Sequence, residues 1–185
     1  MNFDPEQRKG KVMIPWNHHL MKRATLPLVW IACLSLPVVS FADRLTDDHR
    51  LNPPVFLALT TPTKASYVTP MSAATTMQSA MVRGDYNTWL HSWEAKEKRA
   101  RLERDLKAKR DPSFWVKIWA KSFPQEKIRY VRTATYQGYA LIGYESVAAS
   151  GKVTLRSALV FKQVSKGDWR ATQDLAADPV CQKFP

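Results

Sequence analysis

The pattern of apolar residues changes abruptly at Pro124, and this change limits the fold more than any other feature of the chain. Before Pro124, apolar residues recur every three to four positions, which predicts helices. After it, segments rich in Tyr, Val and Thr alternate with short turns, which predicts an antiparallel meander of about four strands. The sequence therefore predicts an α+β domain with its helices first. The predicted helices are 69–84, 85–93, 94–110 and 111–123, and the predicted strands are 127–137, 139–148, 153–164 and 169–175.

The predicted helices begin and end at residues that are typical of helix ends. Thr69-Pro70 and Asp111-Pro112 each place a capping side chain before a proline, which favours the first turn of a helix. Gly84 follows the first helix, and glycine commonly ends a helix. Asp85 then caps a second segment whose apolar residues share one face, which we expect to be buried. These apolar residues are Tyr86, Trp89, Leu90 and Trp93.

The first 42 residues have the composition of an export segment. Met21-Lys22-Arg23 precedes an uncharged apolar stretch from Leu26 to Val39, and Ser40-Phe41-Ala42 ends in the small residue that signal peptidases prefer. We interpret 21–42 as a signal peptide, with a retained membrane anchor as the alternative and 1–20 as an upstream extension. The sequence thus predicts a periplasmic or secreted protein, or one anchored in the inner membrane and facing the periplasm.

A proline-rich stretch separates the export segment from the periodic part of the chain. Residues 43–69 contain Pro53, Pro54 and Pro62, which indicates an extended linker or a strap across the domain. The apolar group at 55–59 indicates that part of this stretch packs against the domain. We place the domain itself at 70–178 and interpret 179–185 as a C-terminal tail.

Four short motifs separate the predicted elements: Gly84-Asp85-Tyr86, Gly138 to Ile142, Ser150-Gly151-Lys152 and Lys166 to Arg170. Their order and spacing resemble the nuclear transport factor 2-like (cystatin-like) superfamily over about residues 70–178, which is most of the chain that follows the export segment. The resemblance implies that the N-terminal helices pack into the concave face of a curved antiparallel sheet, which forms a cone. This fold hosts unrelated functions. The layout is also similar to that of the anchored cone subunits of type IV secretion systems.

Aromatic residues are the richest feature of the predicted domain. The chain has seven tryptophans and six tyrosines, and several of them fall on the faces that we expect to be buried. They form either the hydrophobic core or the lining of a cone that holds a small apolar ligand. The candidate lining residues are Trp89, Trp93, Trp115, Trp119, Tyr136, Tyr144 and Trp169.

The helix at 94–110 carries much of the positive charge of a chain whose formal net charge is +12. Four acid-before-base pairs at i,i+4 predict internal ion pairs, and Leu102 and Leu106 are its expected apolar anchors. Outside the cytoplasm, such a helix suits an acidic protein or an anionic membrane surface better than nucleic acid; an ordinary solvated helix is the alternative. The candidate binding residues are Lys98, Arg99, Arg101, Arg104 and Lys107, and the acid-base pairs are Glu94/Lys98, Glu97/Arg101, Glu103/Lys107 and Asp105/Lys109.

Catalytic residues are harder to identify. An isomerase or cyclase, which the superfamily resemblance allows, needs a carboxylate or histidine in an apolar cavity. His91, Glu145 and Asp174 are the candidates, but His91 falls off the aromatic face and strand carboxylates usually face solvent. The sequence has no Gly-x-Ser-x-Gly, His-Glu-x-x-His or phosphate-loop motif, and its two cysteines rule out a disulfide scaffold.

These observations favour an exported binding protein of the bacterial envelope without catalytic residues. Its expected partner is another envelope protein or a small apolar ligand, bound through the cone or the basic helix. We predict no cofactor, no metal site and no nucleic-acid partner, and leave membrane-surface contact and a homodimer open. A small-molecule isomerase or cyclase, and an anchored subunit of a type IV secretion or conjugation machine, are the alternatives.

Overall fold

The computed structural model describes residues 44–122 and 127–184, so the extension and export segment at 1–42 lie outside the described residues. The described residues form an α+β domain, which confirms the predicted class. The helices are α1 (Pro70–Arg83), α2 (Tyr86–His91), α3 (Ala95–Lys107), α4 (Pro112–Ser122) and α5 (Pro179–Lys183), and the strands are β1 (Thr46–Phe56), β2 (Lys127–Tyr136), β3 (Tyr139–Val147), β4 (Val153–Ser165) and β5 (Asp168–Ala171). Within 44–122 and 127–184, no helix is both long enough and apolar enough to span a membrane.

The helix ends lie where the capping residues predict them. The Thr69 hydroxyl accepts a hydrogen bond from the backbone N–H of Ser72 at 3.1 Å, and the Asp85 carboxylate accepts one from Thr88 at 3.0 Å. Gly84 ends α1 with φ 70°, in the left-handed region that glycine adopts without a Cβ clash. Local sequence therefore determines where α1 ends and α2 begins.

Across 44–122 and 127–184 the sheet has five antiparallel strands in the order β1-β2-β3-β4-β5, one more than the four or so that the sequence predicts. The additional strand is β1, which lies in the segment predicted to be a linker or strap and pairs with β2 through Arg50↔Arg132 and Val55↔Tyr130. Pro53 and Pro54 make this strand difficult to recognise from the sequence. Prolines are tolerated in a strand at the edge of a sheet but not in one at its centre, so they do not usually predict a strand.

The central strand β3 is buried on both of its faces. Ile142 packs in a core with α1, α2 and α4, whereas Leu141 packs in a second core with Cys181 and Phe184. The C-terminal residues therefore cover the sheet face opposite the helices, and the predicted tail contains α5 and the buried side chains of Cys181 and Phe184. Continuous burial explains why β3 has a nearly uninterrupted apolar sequence.

Candidate functional site

The predicted aromatic residues of the helices meet in one cluster centred on Trp89. Its ring centroid lies 5.1 Å from Trp119, 5.7 Å from Trp115, 5.9 Å from Trp93 and 5.6 Å from Tyr86. Trp89 and Trp119 are each only 4% exposed. The rings are tilted or edge-on, as is favourable for packed aromatic pairs. These tryptophans therefore fill the space between α2 and α4.

The remaining candidate lining residues are divided between the two faces of the sheet. Tyr144 and Trp169 pack against the same core as Trp89. Tyr136 instead belongs to the second core, where its hydroxyl donates a hydrogen bond to Asp178 at 3.1 Å. The structure thus brings six of the seven candidates into one core and separates Tyr136 from them.

Helix α3 turns charged side chains, rather than apolar ones, towards this aromatic cluster. The Arg101 guanidinium lies 3.4 Å from the ring centroid of Trp93 and 5.3 Å from that of Trp89, which are cation–π distances. Burial, together with the nearby charge of Arg104, lowers the pKa of Arg101 to about 10. Leu102 and Leu106, the expected anchors, are 43% and 80% exposed. The prediction that they hold the helix is wrong, because α3 is held through its polar side chains.

Asp105 connects α3 to both neighbouring helices. Its carboxylate, in a residue 6% exposed, accepts hydrogen bonds from Trp115 Nε1 at 2.8 Å and from the Tyr86 hydroxyl at 3.3 Å. Burial and the adjacent Asp105 charge raise the pKa of Tyr86. A carboxylate that receives two donors in a buried position is a strong, directional contact. Asp105 therefore positions α3 over the aromatic cluster.

Two of the three acidic residues of α3 are buried, whereas its basic residues other than Arg101 lie at the surface or are half-buried. Glu94, Glu97 and Asp105 are each at most 8% exposed, which leaves Glu103 as the exposed acid of the 94–107 stretch. None of the four predicted i,i+4 ion pairs forms. Two of their acids are buried and engage other elements, Glu94 through Thr172 and Asp105 through Trp115. The exposed or half-buried basic side chains are Lys96, Lys98, Arg99, Arg101, Arg104 and Lys107.

Glu145 does not lie in the aromatic core. It belongs to the opposite sheet face, where Arg129 donates to its Oε2 at 2.6 Å and Arg156 to its Oε1 at 2.8 Å. Burial favours the neutral carboxyl, but the hydrogen bonds from Arg129 and Arg156 outweigh it and lower the pKa of Glu145. A carboxylate held ionised by two arginines forms a structural ion-pair network, and it is not tuned to donate a proton near neutral pH.

His91 and Asp174 occupy two further, separate positions. His91 is exposed, 5.7 Å edge-on from the Tyr67 ring, and partial burial with the nearby Arg170 and Lys98 charges lowers its pKa. Asp174 follows β5 in a turn, although the sequence predicts it within a strand. The structure therefore does not bring the three catalytic candidates together.

Asp174 instead meets two acids of the first turn of α3. Carboxylate oxygens of Glu94, Glu97 and Asp174 all lie within 4.8 Å of one another. Lys162 Nζ lies 3.4 Å from Asp174 and 4.0 Å from Glu94. Among the described residues, this is a group whose oxygens are close enough to share a cation. The sequence carries no signal for it, because Glu97 and Asp174 are far apart along the chain.

The chain matches no protein-family model, and no curated protein and no solved structure shows significant similarity to it. The superfamily resemblance and the export of the chain stay predictions.

Proposed function

We propose that this chain is a non-catalytic exported binding protein of the bacterial envelope, built on a nuclear transport factor 2-like domain, whose helix α3 docks onto an acidic protein surface. The observation that carries the proposal is the division of charge on α3. Glu97 and Asp105 are buried while Arg99, Arg104 and Lys107 are exposed. The exposed surface of this helix consequently has a larger excess of basic over acidic side chains than the helix as a whole.

This division of charge favours binding over an ordinary solvated helix. On a solvated helix, exposed acids would neutralise the neighbouring bases through i,i+4 pairs. Here the bases face solvent without those partners, so their fields add and attract a negatively charged surface. The exposed side chains of Leu102 and Leu106 lie among these bases and offer apolar contact area to the same partner.

An acidic protein fits this surface better than an anionic membrane. A helix that lies in a membrane interface needs a continuous apolar face, commonly with Trp or Phe. The tryptophans nearest to α3 pack beneath it, and α3 itself exposes two leucines at 102 and 106. A small apolar ligand in the cone is less well supported, because Trp89 and Trp119 pack tightly with their neighbours.

The test is a charge-reversal variant of the exposed face of α3. Arg99, Arg104 and Lys107 are replaced by Glu in the full chain, and protein partners are captured by crosslinking in the periplasm and then purified for affinity measurements. Arg101 stays unchanged, because it stacks on Trp93 and its replacement would disturb folding. We expect the affinity for a captured acidic partner to fall roughly tenfold or more, and the wild-type affinity to fall with added salt.

The matched control reverses three exposed lysines outside α3, at Lys127, Lys152 and Lys166. This control has the same net charge as the α3 variant. A loss of affinity for the partner that occurs only in the α3 variant therefore assigns the interface to that helix. Equal losses in both variants would contradict the proposal. Binding of the wild type to vesicles of anionic lipid, with no dependence on a protein partner, would favour the membrane instead.

A further inference from the structure

Four arginines lie together on the face of the sheet opposite the helices. We call them the arginine cluster, and its members are Arg50 on β1, Arg129 and Arg132 on β2, and Arg156 on β4. Two carboxylates, those of Asp48 and Glu145, pair with three of these arginines. Since four guanidinium groups meet two carboxylates, the cluster keeps a formal charge of +2.

A β-bulge in β2 brings Arg129 and Arg132 to the same face of the sheet. Residues three positions apart in a regular strand point to opposite faces. The bulge between Tyr130 and Arg132 changes this, because Arg129 pairs with Glu145 and Arg132 pairs with Gly143. These two positions of β3 are two residues apart and therefore share a face. Bulges often redirect a side chain next to a functional site, and this one adds a second arginine to the cluster.

The two carboxylates hold three of the four guanidinium groups in place. Arg129 donates to Glu145 Oε2 from Nε at 2.8 Å and from Nη2 at 2.6 Å, and Arg156 Nε donates to Oε1 at 2.8 Å. Arg132 donates to both Asp48 oxygens, from Nε at 2.8 Å and from Nη2 at 2.7 Å. Within 44–122 and 127–184 these bonds leave Nη1 of each arginine, and Nη2 of Arg156, without an acceptor. The remaining donors are therefore oriented and still available to a ligand.

Arg50 has no carboxylate of its own. It is exposed, and its guanidinium forms no hydrogen bond or ion pair with any other residue in the part of the chain that the structure describes. Its neighbour directly across the sheet is Arg132. Like charges in directly opposite positions destabilise a sheet. Asp48 pairs with Arg132 and attracts Arg50 only at longer range, so an anion between the two arginines would relieve their repulsion.

A cavity lies where these side chains converge. Its volume is about 180 Å³, and its lining residues are Arg50, Val131, Arg132, Glu145 and Arg156. This volume is below that of a typical site for a drug-sized molecule, so the cavity suits a small group. The Arg156 side chain is 66% exposed, which leaves the cavity accessible from solvent.

We propose that this cavity binds a phosphate group, with Arg50, Arg132 and Arg156 as the donors. The planar guanidinium group matches the oxygens of a phosphate and can donate two parallel hydrogen bonds to it. A phosphate monoester carries a charge of about −1.5 to −2 near neutral pH, which balances the surplus of the cluster. A carboxylate carries a single negative charge and would leave part of the surplus unpaired. The phosphate group belongs either to a soluble monoester or to a lipid headgroup.

The experiment is calorimetric titration of the full chain with inorganic phosphate, with acetate at matched ionic strength as the comparison. We expect saturable binding of phosphate by the wild type. Arg50→Gln should weaken it about tenfold or more, because the variant loses a charged donor. Asp48→Asn should tighten it several-fold, because it removes a negative charge and releases the donors of Arg132. Arg83→Gln, at an exposed arginine of α1, has the same net charge as Arg50→Gln and should bind as wild type.

Each result has a defined consequence. Circular dichroism establishes that the variants fold, and Asp48→Asn tests the site by a gain rather than a loss of affinity. The absence of saturable binding at millimolar phosphate in both wild type and Asp48→Asn would overturn the proposal. So would equal affinities of Arg50→Gln and Arg83→Gln, or acetate bound as tightly as phosphate.

Two further ligands distinguish the sources of the phosphate group. Tighter binding of glycerol phosphate than of vesicles that contain phosphatidic acid supports a soluble monoester, and the reverse order supports a lipid headgroup. In either case the binding should weaken in Arg50→Gln and not in Arg83→Gln. The arginine cluster lies on the sheet face opposite the helices, so phosphate binding does not depend on the proposed docking of α3. The two proposals therefore fail separately.

Discussion

Replacement of Asp105 by alanine should destabilise the domain more than any other single change on α3. Asp105 is 6% exposed and accepts hydrogen bonds from Trp115 Nε1 and the Tyr86 hydroxyl. The alanine variant loses both bonds and leaves two donors in the aromatic cluster without their acceptor. It also removes one of the two negative charges, Glu97 being the other, that stabilise the stacked guanidinium of Arg101 electrostatically.

The expected cost follows from these two bonds. A hydrogen bond to a charged acceptor contributes about 1.5–3 kcal/mol, and the 2.8 Å bond from Trp115 has the geometry for the full value. The 3.3 Å bond from Tyr86 is longer and contributes less. We expect a loss of about 3 kcal/mol in the free energy of unfolding, which corresponds to a fall in Tm of roughly 10 °C. Asp105→Asn keeps an acceptor oxygen and should cost about 1 kcal/mol.

The assay is urea unfolding followed by tryptophan fluorescence and by far-ultraviolet circular dichroism, which together test two-state behaviour. Glu103→Ala is the matched control, because Glu103 is an exposed acid two residues away on the same helix. It should change stability by less than about 0.5 kcal/mol. If Asp105→Ala cost no more than this control, the carboxylate would not be what positions α3, and the account of this helix would be refuted.

Three further predictions concern the sheet and the turn after α1. Glu145→Gln should cost about 2 kcal/mol, less than a fully buried ion pair, because the Arg156 side chain is 66% exposed. Because folding lowers the Glu145 pKa from 4.5, the contribution of this carboxylate to stability is present above pH 4.5 and lost at lower pH. When unfolding is measured as a function of pH, the Glu145→Gln variant should therefore lose less stability in acid than the wild type does. Gly84→Ala should cost about 1–2 kcal/mol for its φ of 70°, and more because its Cβ would lie 2.9 Å from Val116 Cγ1. Gly167→Ala, with φ 71° and no atom within 4 Å, measures the backbone part alone in the same thermal unfolding assay.

Helix ends and turns were predictable because their signals are local. The Thr69 capping box, the left-handed Gly84 and the Asp85 cap each act within four residues, so they operate whatever the rest of the fold is. Strand β1 was not predictable in the same way. Its pairing with β2 joins residues about eighty positions apart, and its prolines are typical of a linker unless the strand is known to lie at an edge.

The candidate sites show the same limit. The aromatic cluster could be anticipated, because Trp89 and Trp93 share a helical face with strong periodicity. The direction of α3 could not, because that helix has no apolar stripe and its sequence does not specify an inner face. The sequence did contain one signal for this helix, a charged stripe at Glu97, Arg101 and Asp105 with i,i+4,i+8 spacing. This stripe indicates function only when the tryptophans that lie beneath it are known.

The order of helices and strands, the caps and the basic surplus follow from the sequence alone, since periodicity and short-range hydrogen bonds act between near neighbours. Which charges are buried, in contrast, depends on how the elements pack together. The side chain of an acid such as Glu97 faces the solvent or the interior according to what lies opposite it. Partners for the acids of α3 come from α2, α4 and the chain after β5. Whether a charge is buried depends on contacts between segments that are far apart in the sequence, so no short stretch of sequence specifies it.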